Sequence, residues 1–504
     1  MVSAALEIVV SSLVAGLVYI VYRLLRVPDN LRPFPSVPIY KLVKWAFWST
    51  TPRAQYLEMR EPLYRAHEVY RIWNFGRWKL IFNNPDHIHQ IYRLTNSAID
   101  KVPLTSAANY SAITTFLGNG IIFAGLKDWH RIRKVVNPAF AHPWSTEEFG
   151  VCMQRLVQTV RRQMPDKGAL IRVDRLIKRV TLDIFGKVLI DYDFNCVEKP
   201  DSPYAAAIIK IMDEITMPLF SAFPFLDLIP GIRRAQLYRD IATFDELLFS
   251  LIQTKLQQQQ QPGKPPYPAK GSSDLLGMML DASDAKDADR LSPKELRDNL
   301  TNFFVAGFDT SAASINHWLF MLAKDPHVQA RARLEVLEAM GDELPWDAVP
   351  TSEQINGLKY VNATIMENLR YNPPISLTAG RMVVKDCQIG PYHVARGTAL
   401  GMHLYALHFD DRLWTDPLAF QPERFLVTDA NGSNDKHNWL PFGMGARKCL
   451  GTNFAMQEMR VITTMMLRCF EWSLPADAIY ADIRSPAFGT FSPTDVVLNL
   501  RARL

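Results

Sequence analysis

The segment PFGMGARKCLG, from Pro441 to Gly451, places one cysteine among three glycines and two basic residues. A cysteine thiolate is a soft ligand for metal ions. Cys449 alone cannot form a zinc site or an iron–sulfur cluster, because both need several protein ligands. A single thiolate is sufficient when a porphyrin occupies the in-plane positions of an iron ion. Cys449 can therefore serve as the axial ligand of a haem iron.

The residues around Cys449 suit that role. Glycines at positions 443, 445 and 451 leave the backbone free to fold beneath the sulfur, where N–H groups would stabilise the thiolate. Phe442 could shield the sulfur and the iron from water, and Arg447 could bind a haem propionate. The alternative interpretation is a glycine-rich turn before a helix, with an incidental buried cysteine.

A long helix is predicted to begin after Ser292, which forms a capping-box pattern with Glu295, and to end at Asp325. At ~1.5 Å per residue it would span roughly 50 Å and cross the whole domain. Its middle, AGFDTS from Ala306 to Ser311, interrupts an apolar surface with small and polar residues. Gly307 then predicts that something large approaches the backbone. The alternative is an ordinary helix crossing at small residues.

FGMGARKCLG resembles the haem-binding loop of the cytochrome P-450 monooxygenases, whose pattern is FxxGxRxCxG. Four further segments match motifs of that family in the family's order: WHRIR at 129–133, AGFDTS at 306–311, ENLR at 367–370 and FQPERF at 420–425. The resemblance covers nearly the whole chain and is to the microsomal type, with a fungal look. It implies a mostly α-helical fold with small β-sheets, haem-thiolate monooxygenase activity, and haem b (iron protoporphyrin IX) as the cofactor.

The resemblance also implies roles for individual residues. Cys449 would be the proximal ligand of the iron, in a loop whose Phe442, Gly443 and Gly451 contact the cofactor. The residues implied to bind the haem propionates are Trp129, Arg133, Arg381 and Arg447. The role of Arg381 rests only on its position 11 residues after Arg370.

Two further groups of residues have implied roles. Glu367, Arg370 and Arg424 would form a structural ion network that fixes the haem-loop region. Thr310 and Asp309 would be catalytic, Thr310 through a hydroxyl near the reacting oxygen and Asp309 by relaying protons from solvent. A threonine in a helix also tends to bond the carbonyl four residues back, which here would loosen the helix and open space for oxygen.

The N-terminus carries a candidate membrane anchor. From Val2 to Tyr22 the only charge is Glu7, and these 21 residues are close to the ~20 that span a bilayer. Arg23 and Arg26 follow, which predicts a cytosolic orientation for the rest of the chain. A cleaved signal peptide is the alternative, but its basic residues would precede the apolar run.

The predicted organisation has three parts. Residues 1–26 form the anchor, residues 27–45 a proline-rich hinge, and residues 46–504 the haem-binding monooxygenase domain. The low-complexity segment from Gln257 to Ser273 predicts an exposed loop within that domain. The predicted location is the endoplasmic reticulum membrane, with a single span and the catalytic domain facing the cytosol.

Composition and charge exclude several classes of protein. A net charge of +5 is too mild for nucleic-acid binding, and the chain has no arginine-rich tract. Five cysteines without a CxxC pair do not indicate a disulfide framework or a zinc site. The four cysteines predicted to be small buried residues are Cys152, Cys196, Cys387 and Cys469.

The expected partners follow from what the sequence contains. No flavin- or nicotinamide-binding region is evident, so electrons must come from another protein. The resemblance implies an NADPH–cytochrome P-450 reductase, with cytochrome b5 as a further candidate, and the basic balance of the chain suits docking of an acidic partner. Two other activities are the alternatives: a haem-thiolate isomerase or dehydratase that needs no oxygen, and a non-catalytic haem sensor or membrane scaffold.

The predicted substrate is a lipophilic small molecule, because most of the candidate pocket segments are apolar. These segments are residues 111–123, Phe303, Ala306, residues 375–379 and residues 488–491. A steroid, a terpenoid, a fatty acid or another secondary metabolite would fit. The run from Met217 to Ile229 is predicted either to dip into membrane lipid or to form a buried helix pair.

Overall fold

The computed structural model describes residues 19, 22, 25–47, 51–101, 111–141, 143–164, 168–215, 217–259, 274–284, 291–341, 343–378, 380–426, 438–476 and 492–503. Most of the predicted anchor and the predicted pocket segment 488–491 lie outside these residues. None of the helices in the described ranges combines the length and apolar composition needed to cross a bilayer. The transmembrane helix therefore stays a prediction.

The described chain is mostly helical, as the sequence predicts. The helices are α1 (Ile39–Phe47), α2 (Pro52–Met59), α3 (Pro85–Leu94), α4 (Ala112–Leu117), α5 (Leu126–Ala141), α6 (Thr146–Arg162), α7 (Val173–Ile184), α8 (Pro203–Ile215), α9 (Pro218–Ala222), α10 (Ala235–Gln259), α11 (Leu275–Asp284), α12 (Pro293–Phe304), α13 (Thr310–Lys324), α14 (Pro326–Met340), α15 (Ser352–Gly357), α16 (Lys359–Tyr371), α17 (Leu404–His408) and α18 (Thr452–Cys469).

Short strands form small sheets, also as predicted. The strands are β1 (Val69–Asn74), β2 (Arg77–Phe82), β3 (Ile99–Lys101), β4 (Ala169–Arg172), β5 (Arg381–Val383), β6 (Cys387–Ile389), β7 (Tyr392–Val394), β8 (Ala399–Met402), β9 (Phe470–Ser473) and β10 (Val497–Ala502). One sheet has the order β1-β2-β8-β5-β3, a second has the order β4-β10-β9, and β6 and β7 form a hairpin. In the first sheet Leu400 pairs with both Leu80 and Arg381, and Arg381 pairs with Lys101.

The predicted long helix is present, with a wide turn in its middle. Ser292 and Glu295 form the capping box, and α12 continues through the π-helical turn Val305–Asp309 into α13, which ends at Lys324. Nearly all of this rod is buried, because the helices of the main hydrophobic core pack around it. It can therefore present side chains to the centre of the domain from a fixed backbone.

Gly307 in the wide turn is explained by close packing against another helix turn. A Cβ atom added there would lie 2.5 Å from the Phe185 ring, which is closer than carbon atoms approach. Phe185 begins the π-helical turn Phe185–Leu189 that follows α7. The large group that approaches the backbone is thus Phe185 of a neighbouring helix turn. Gly307 therefore fits the alternative interpretation, an ordinary helix crossing at small residues.

Two local predictions need correction. The sequence predicts a loop from Gln257 to Ser273, but α10 continues to Gln259, so the first three of these residues are helical; residues 260–273 lie outside the described residues. The run from Met217 to Ile229 forms α9 and the 3₁₀ turn Pro224–Leu228, and it is only partly buried. Phe220 is buried, whereas the Met217 and Leu228 side chains are exposed. A contact of this run with membrane lipid stays a prediction.

Candidate active site

A cavity of about 640 Å³ extends from the loop around Cys449 to the β1–β2 hairpin. The predicted site residues that line it are Cys449, Trp129, Arg133, Arg381, Phe442, Gly443, Arg447, Gly451 and Thr310. Asp309 is buried and does not line it. The fold therefore brings together nine of the ten predicted site residues around one space.

The backbone of the Cys449 loop is held by local turns. Gly443 and Gly445 have φ angles of +66° and +69°, a region that favours glycine. The Cys449 N–H donates to the Phe442 carbonyl at 3.0 Å, which closes the loop. Gly451 is different: its φ is −82° and an added Cβ would meet no protein atom within 4 Å. Only two of the three glycines are required by the backbone of this loop.

The Cys449 side chain is exposed to the cavity and otherwise enclosed by protein. Burial raises the pKa of the thiol, whereas the Gly451 N–H, the Arg133 guanidinium and the Thr452 hydroxyl act in the opposite direction. Gly451 is the N-cap of α18, so the positive end of that helix dipole lies beside the sulfur. The surroundings can stabilise a thiolate once a cation or metal ion compensates for burial.

Arg447 is the most strongly held of the predicted propionate partners. Its guanidinium donates to the Asp100 carboxylate and the Ala124 carbonyl, both at 2.9 Å, and to the Asn96 side chain at 3.3 Å. It also lies 4.3 Å from the centre of the Trp129 ring. Burial lowers its pKa to about 10. These contacts fix the direction of the guanidinium at the cavity wall.

Lys101 is a cation of this site that the sequence analysis missed. It lines the cavity and pairs across the sheet with Arg381. Burial lowers its pKa well below the usual value, and the charges of Arg381 and Arg447 act in the same direction. The sequence carries no motif around Lys101, and only the register of β3 against β5 brings it here.

The side chains around Cys449 fit a haem. Four cations, Lys101, Arg133, Arg381 and Arg447, line the cavity, and among the described residues Asp100 forms an ion pair with Arg447. This excess of positive charge matches the two propionates of a haem, and the thiol of Cys449 matches its iron. Within the described ranges no group of three or more His, Cys, Asp or Glu side chains is placed to hold a metal ion without a porphyrin.

Thr310 lies on the long helix and its side chain lines the same cavity as Cys449. Its hydroxyl donates to the Ala306 carbonyl at 2.7 Å, the bond that the sequence predicts. The helix is indeed widened at this point, in the turn Val305–Asp309. Ala306 is exposed to the cavity, so the wall beside Thr310 is open.

The ion network predicted for Glu367, Arg370 and Arg424 is confirmed. Arg370 donates from Nε and Nη2 to the two carboxylate oxygens of Glu367, each at 2.7 Å, and both side chains are fully buried. Arg424 lies 3.4 Å from the same carboxylate. Arg370 also donates to the His408 carbonyl at 2.8 Å, and the His408 ring accepts from the Leu440 N–H at 3.0 Å. Through His408 the network reaches the segment that leads to Cys449.

A buried acidic residue beside the long helix was also missed. Glu458 in α18 is fully buried, and within the described residues neither of its carboxyl oxygens has a hydrogen-bond partner. Burial raises its pKa to about 8, and the nearby Ser311 hydroxyl acts in the opposite direction. Ser311 follows Thr310 and lines the cavity. No sequence pattern identifies Glu458, because a glutamate in an amphipathic helix usually lies at the surface.

The remaining cysteines behave largely as predicted. Cys152, Cys196 and Cys469 are buried, and burial raises the pKa of each thiol. Cys387 is only half-buried. Cys449 alone of the five cysteines lines the cavity.

Comparison with known proteins identifies the family. A family model described as "Cytochrome P450" matches residues 33–495. The chain belongs to this family. The cytochrome P-450 fold is supported by the crystal structure of the "cytochrome P450DA heme domain", which is 25% identical, covers 94% of this chain and 98% of that chain, and has a TM-score of 0.73.

Curated relatives come from several kingdoms. "Cytochrome P450 monooxygenase xanG" of Aspergillus fumigatus is 26% identical over 89% of this chain and 84% of its own length. "Cytochrome P450 4V2" of Homo sapiens is 27% identical over 93% of this chain and 90% of its own length. "Cytochrome P450-DIT2" of Saccharomyces cerevisiae is 24% identical over 96% of both chains. This P-450 is therefore an oxidoreductase that binds haem b through a cysteine thiolate.

Proposed function

We propose that this P-450 is a monooxygenase that inserts one oxygen atom from dioxygen into a lipophilic substrate. The observation that carries the proposal is one cavity lined by Cys449, by the hydroxyl of Thr310 on the long helix, and by mainly apolar side chains. When bound, haem supplies the chemistry that activates dioxygen. One oxygen atom goes to the substrate and the other to water, with two electrons and two protons supplied.

The residues of this chain hold and orient the reactants. Cys449 is the proposed iron ligand, and Arg447, Arg381, Arg133 and Lys101 are the proposed partners of the propionates. In these positions they would hold the cofactor when it is bound. Phe442 lies at the cavity wall, where it would limit the access of water to the sulfur.

Thr310 and Asp309 are proposed to control protons. Because the Thr310 hydroxyl donates to the Ala306 carbonyl, its oxygen lone pairs are free to accept a hydrogen bond from a water in the cavity. Asp309 lies next to it in the chain but behind the cavity wall. Its proposed role is to pass protons towards Thr310 rather than to touch the substrate. The pair supports oxygen insertion over an isomerase or dehydratase, because neither of those reactions reduces dioxygen or needs protons to cleave it.

Electrons are proposed to come from an NADPH–cytochrome P-450 reductase, with cytochrome b5 as a second donor. Lys127, Lys134 and Lys448 are exposed on α5 and on the Cys449 loop, and Arg133 of α5 contacts the Lys448 carbonyl at 3.4 Å. Arg133 and Lys448 are the cations whose charges act on the Cys449 thiol, so positive charge lies beside the proposed ligand of the iron. An acidic flavoprotein surface would be attracted to it.

The proposed location is the endoplasmic reticulum membrane. The support is the apolar run from Val2 to Tyr22 followed by Arg23 and Arg26, which predicts a single span with the catalytic domain in the cytosol. A lipophilic substrate would then reach the cavity from the membrane.

Carbon monoxide difference spectra of the reduced protein test the proposal. The wild-type protein is expected to show the long-wavelength band of a thiolate-ligated haem, and Cys449→Ala is expected to lose it. Thr310→Ala should keep the band but divert electrons from NADPH to peroxide in the presence of reductase. Normal coupling in Thr310→Ala would exclude the proposed proton role. A lack of NADPH consumption when reductase, substrate and oxygen are all present would favour the isomerase or sensor alternatives.

A further inference from the structure

The wall of the cavity that belongs to the first sheet carries a polar side chain, His403. Its backbone N–H donates to the Phe82 carbonyl at 2.9 Å, next to the point where β8 pairs with β2. On its other side His403 forms an antiparallel bridge with Leu377. Backbone contacts on both sides therefore fix the residue, and its side chain lines the cavity.

The hydroxyl of Tyr70 determines which nitrogen of the His403 ring carries the proton. Tyr70 in β1 is buried, and among the described residues its hydroxyl has one hydrogen-bond partner, the His403 Nδ1 atom, at 2.8 Å. A buried hydroxyl donates its proton where an acceptor is in reach, so Nδ1 is the acceptor and carries no hydrogen. In the neutral ring the proton then lies on Nε2. Burial lowers the pKa of His403 to about 3 and raises the pKa of Tyr70, so both side chains are neutral near pH 7.

The Nε2 atom of His403 is left as a hydrogen-bond donor without a protein acceptor. None of the hydrogen bonds of the described residues involves it. The Tyr64 ring packs against the imidazole, with ring centres 4.8 Å apart and an angle of 80° between the ring planes. This contact limits rotation of the imidazole, and Tyr64 also lines the cavity. An oriented ring with a free N–H group therefore borders the space that a substrate is proposed to occupy.

Apolar side chains lie beside His403 in the cavity wall. Ile72 is on the same face of β1 as Tyr70, because alternate residues of a strand share a face, and both Ile72 and Leu377 line the cavity. The neighbouring Thr378 hydroxyl already accepts from the Met402 N–H at 3.1 Å. A hydrogen bond in apolar surroundings is stronger than one in water, and an unpaired donor there is costly. The Nε2–H group therefore favours a ligand with an acceptor oxygen over a pure hydrocarbon.

We propose that the His403 Nε2–H group donates a hydrogen bond to a carbonyl or hydroxyl oxygen of the substrate, with Tyr70 as a positioning residue. The inference rests on the proposed monooxygenase function and narrows its substrate to lipophilic molecules that carry such an oxygen before the reaction. The neutral imidazole has no charge that would favour a carboxylate. Holding one oxygen of the substrate against the sheet restricts which carbon atoms can reach the reaction space near Cys449. His403 thus contributes to the choice of substrate and to the position of oxygen insertion.

Three matched ligands test this inference on the haem-loaded protein. Cyclododecanone, cyclododecanol and cyclododecane share one carbon ring. The ketone only accepts a hydrogen bond, the alcohol accepts and donates, and the hydrocarbon does neither. Binding is measured by the shift of the haem absorption and, without relying on the haem signal, by titration calorimetry. Wild-type protein is expected to bind the ketone about tenfold more tightly than the hydrocarbon, as one net hydrogen bond implies.

Variants of His403 and Tyr70 assign the preference to this pair. His403→Phe keeps a ring and removes the donor, so it should weaken ketone binding about tenfold and leave cyclododecane binding unchanged. His403→Gln should keep part of the ketone preference, because its amide N–H can replace that of Nε2. Tyr70→Phe should reduce the preference about threefold, since the imidazole is no longer fixed in one tautomer. The matched control His393→Phe makes the same change at an exposed histidine of β7 outside the cavity lining and should alter no affinity.

Four results would overturn the inference. Equal affinity of the wild-type protein for ketone and hydrocarbon, with a normal carbon monoxide spectrum, would reject it and leave the proposed function intact; this comparison does not depend on the folding of any variant. Tenfold tighter binding of the alcohol than of the ketone would show that Nε2 accepts rather than donates. Loss of the ketone preference in Tyr64→Phe but not in His403→Phe would assign the oxygen to the Tyr64 hydroxyl. A wild-type carbon monoxide spectrum without the thiolate band would reject the proposed function as well.

Discussion

Replacing Glu367 with glutamine is expected to destabilise the protein by about 3–5 kcal/mol. Glu367 accepts two hydrogen bonds of 2.7 Å from Arg370 and one of 2.8 Å from the Gln421 N–H. After the substitution the Arg370 guanidinium stays fully buried and still donates to backbone carbonyls, but it no longer has a negatively charged partner in Glu367. The magnitude follows because a buried charge without its counter-charge is much more costly than a missing neutral hydrogen bond.

Glu423→Gln is a matched control for this substitution. The ion pair of Arg331 with Glu423 has the same N–O distance, 2.7 Å, but its side chains are 54% and 52% exposed. Exposed ion pairs contribute only about 0–1 kcal/mol. Both variants therefore make the same chemical change on ion pairs of equal length, and they differ in burial.

Denaturant unfolding followed by circular dichroism and by haem absorption distinguishes the two variants. Glu367→Gln is also expected to release haem at lower denaturant, because Arg370 contacts His408 and His408 holds Leu440 before the Cys449 loop. Proteins of this size often unfold irreversibly, so unfolding rates are compared along with midpoints. Equal midpoints for the two variants would refute the argument that burial decides the cost.

Three further predictions concern other parts of the site. Glu458→Gln should be as stable as the wild type near pH 4.5 and more stable above pH 8, by up to ~5 kcal/mol. The carboxyl of the folded wild type keeps its proton to about pH 8, whereas that of the unfolded chain loses it near pH 4.5, so the wild type loses stability between these pH values. Parallel pH profiles of unfolding would contradict this. Gly307→Ala should cost about 1–3 kcal/mol through contact with Phe185, and Phe185→Leu should recover part of it in a double-mutant cycle. Lys101→Met should speed haem transfer to apomyoglobin while circular dichroism stays unchanged, and an unchanged transfer rate would remove Lys101 from the propionate group.

Local signals in the sequence predicted much of this fold. Ser292 and Glu295 cap the long helix as expected, since a capping box depends only on neighbouring residues. The bond from Thr310 to the Ala306 carbonyl and the widened turn are also local, and they were predicted from residue types alone. The motif around Cys449 was sufficient to predict a cavity-facing thiol.

Features that depend on distant contacts were not predicted. Lys101 joins the cations of the site through strand pairing with Arg381, 280 positions later in the chain. Glu458 is buried because α18 packs under the long helix, whereas its own neighbours give a pattern typical of a surface position. Gly307 was correctly singled out, but only the structure identifies Phe185 as its neighbour.

The wide turn Val305–Asp309 also sets how far α13 is rotated about the helix axis relative to α12. In a regular α-helix each residue turns the next by about 100°, so one extra residue changes which side of the rod everything after it faces. Before the turn, Asn302 holds the backbone of Leu117 and Ile122, and after it Thr310 faces the cavity. Deleting a single residue from this turn would leave a continuous rod and swing Thr310 out of the reaction space. The length of this segment is therefore under tighter constraint than the identity of most of its side chains.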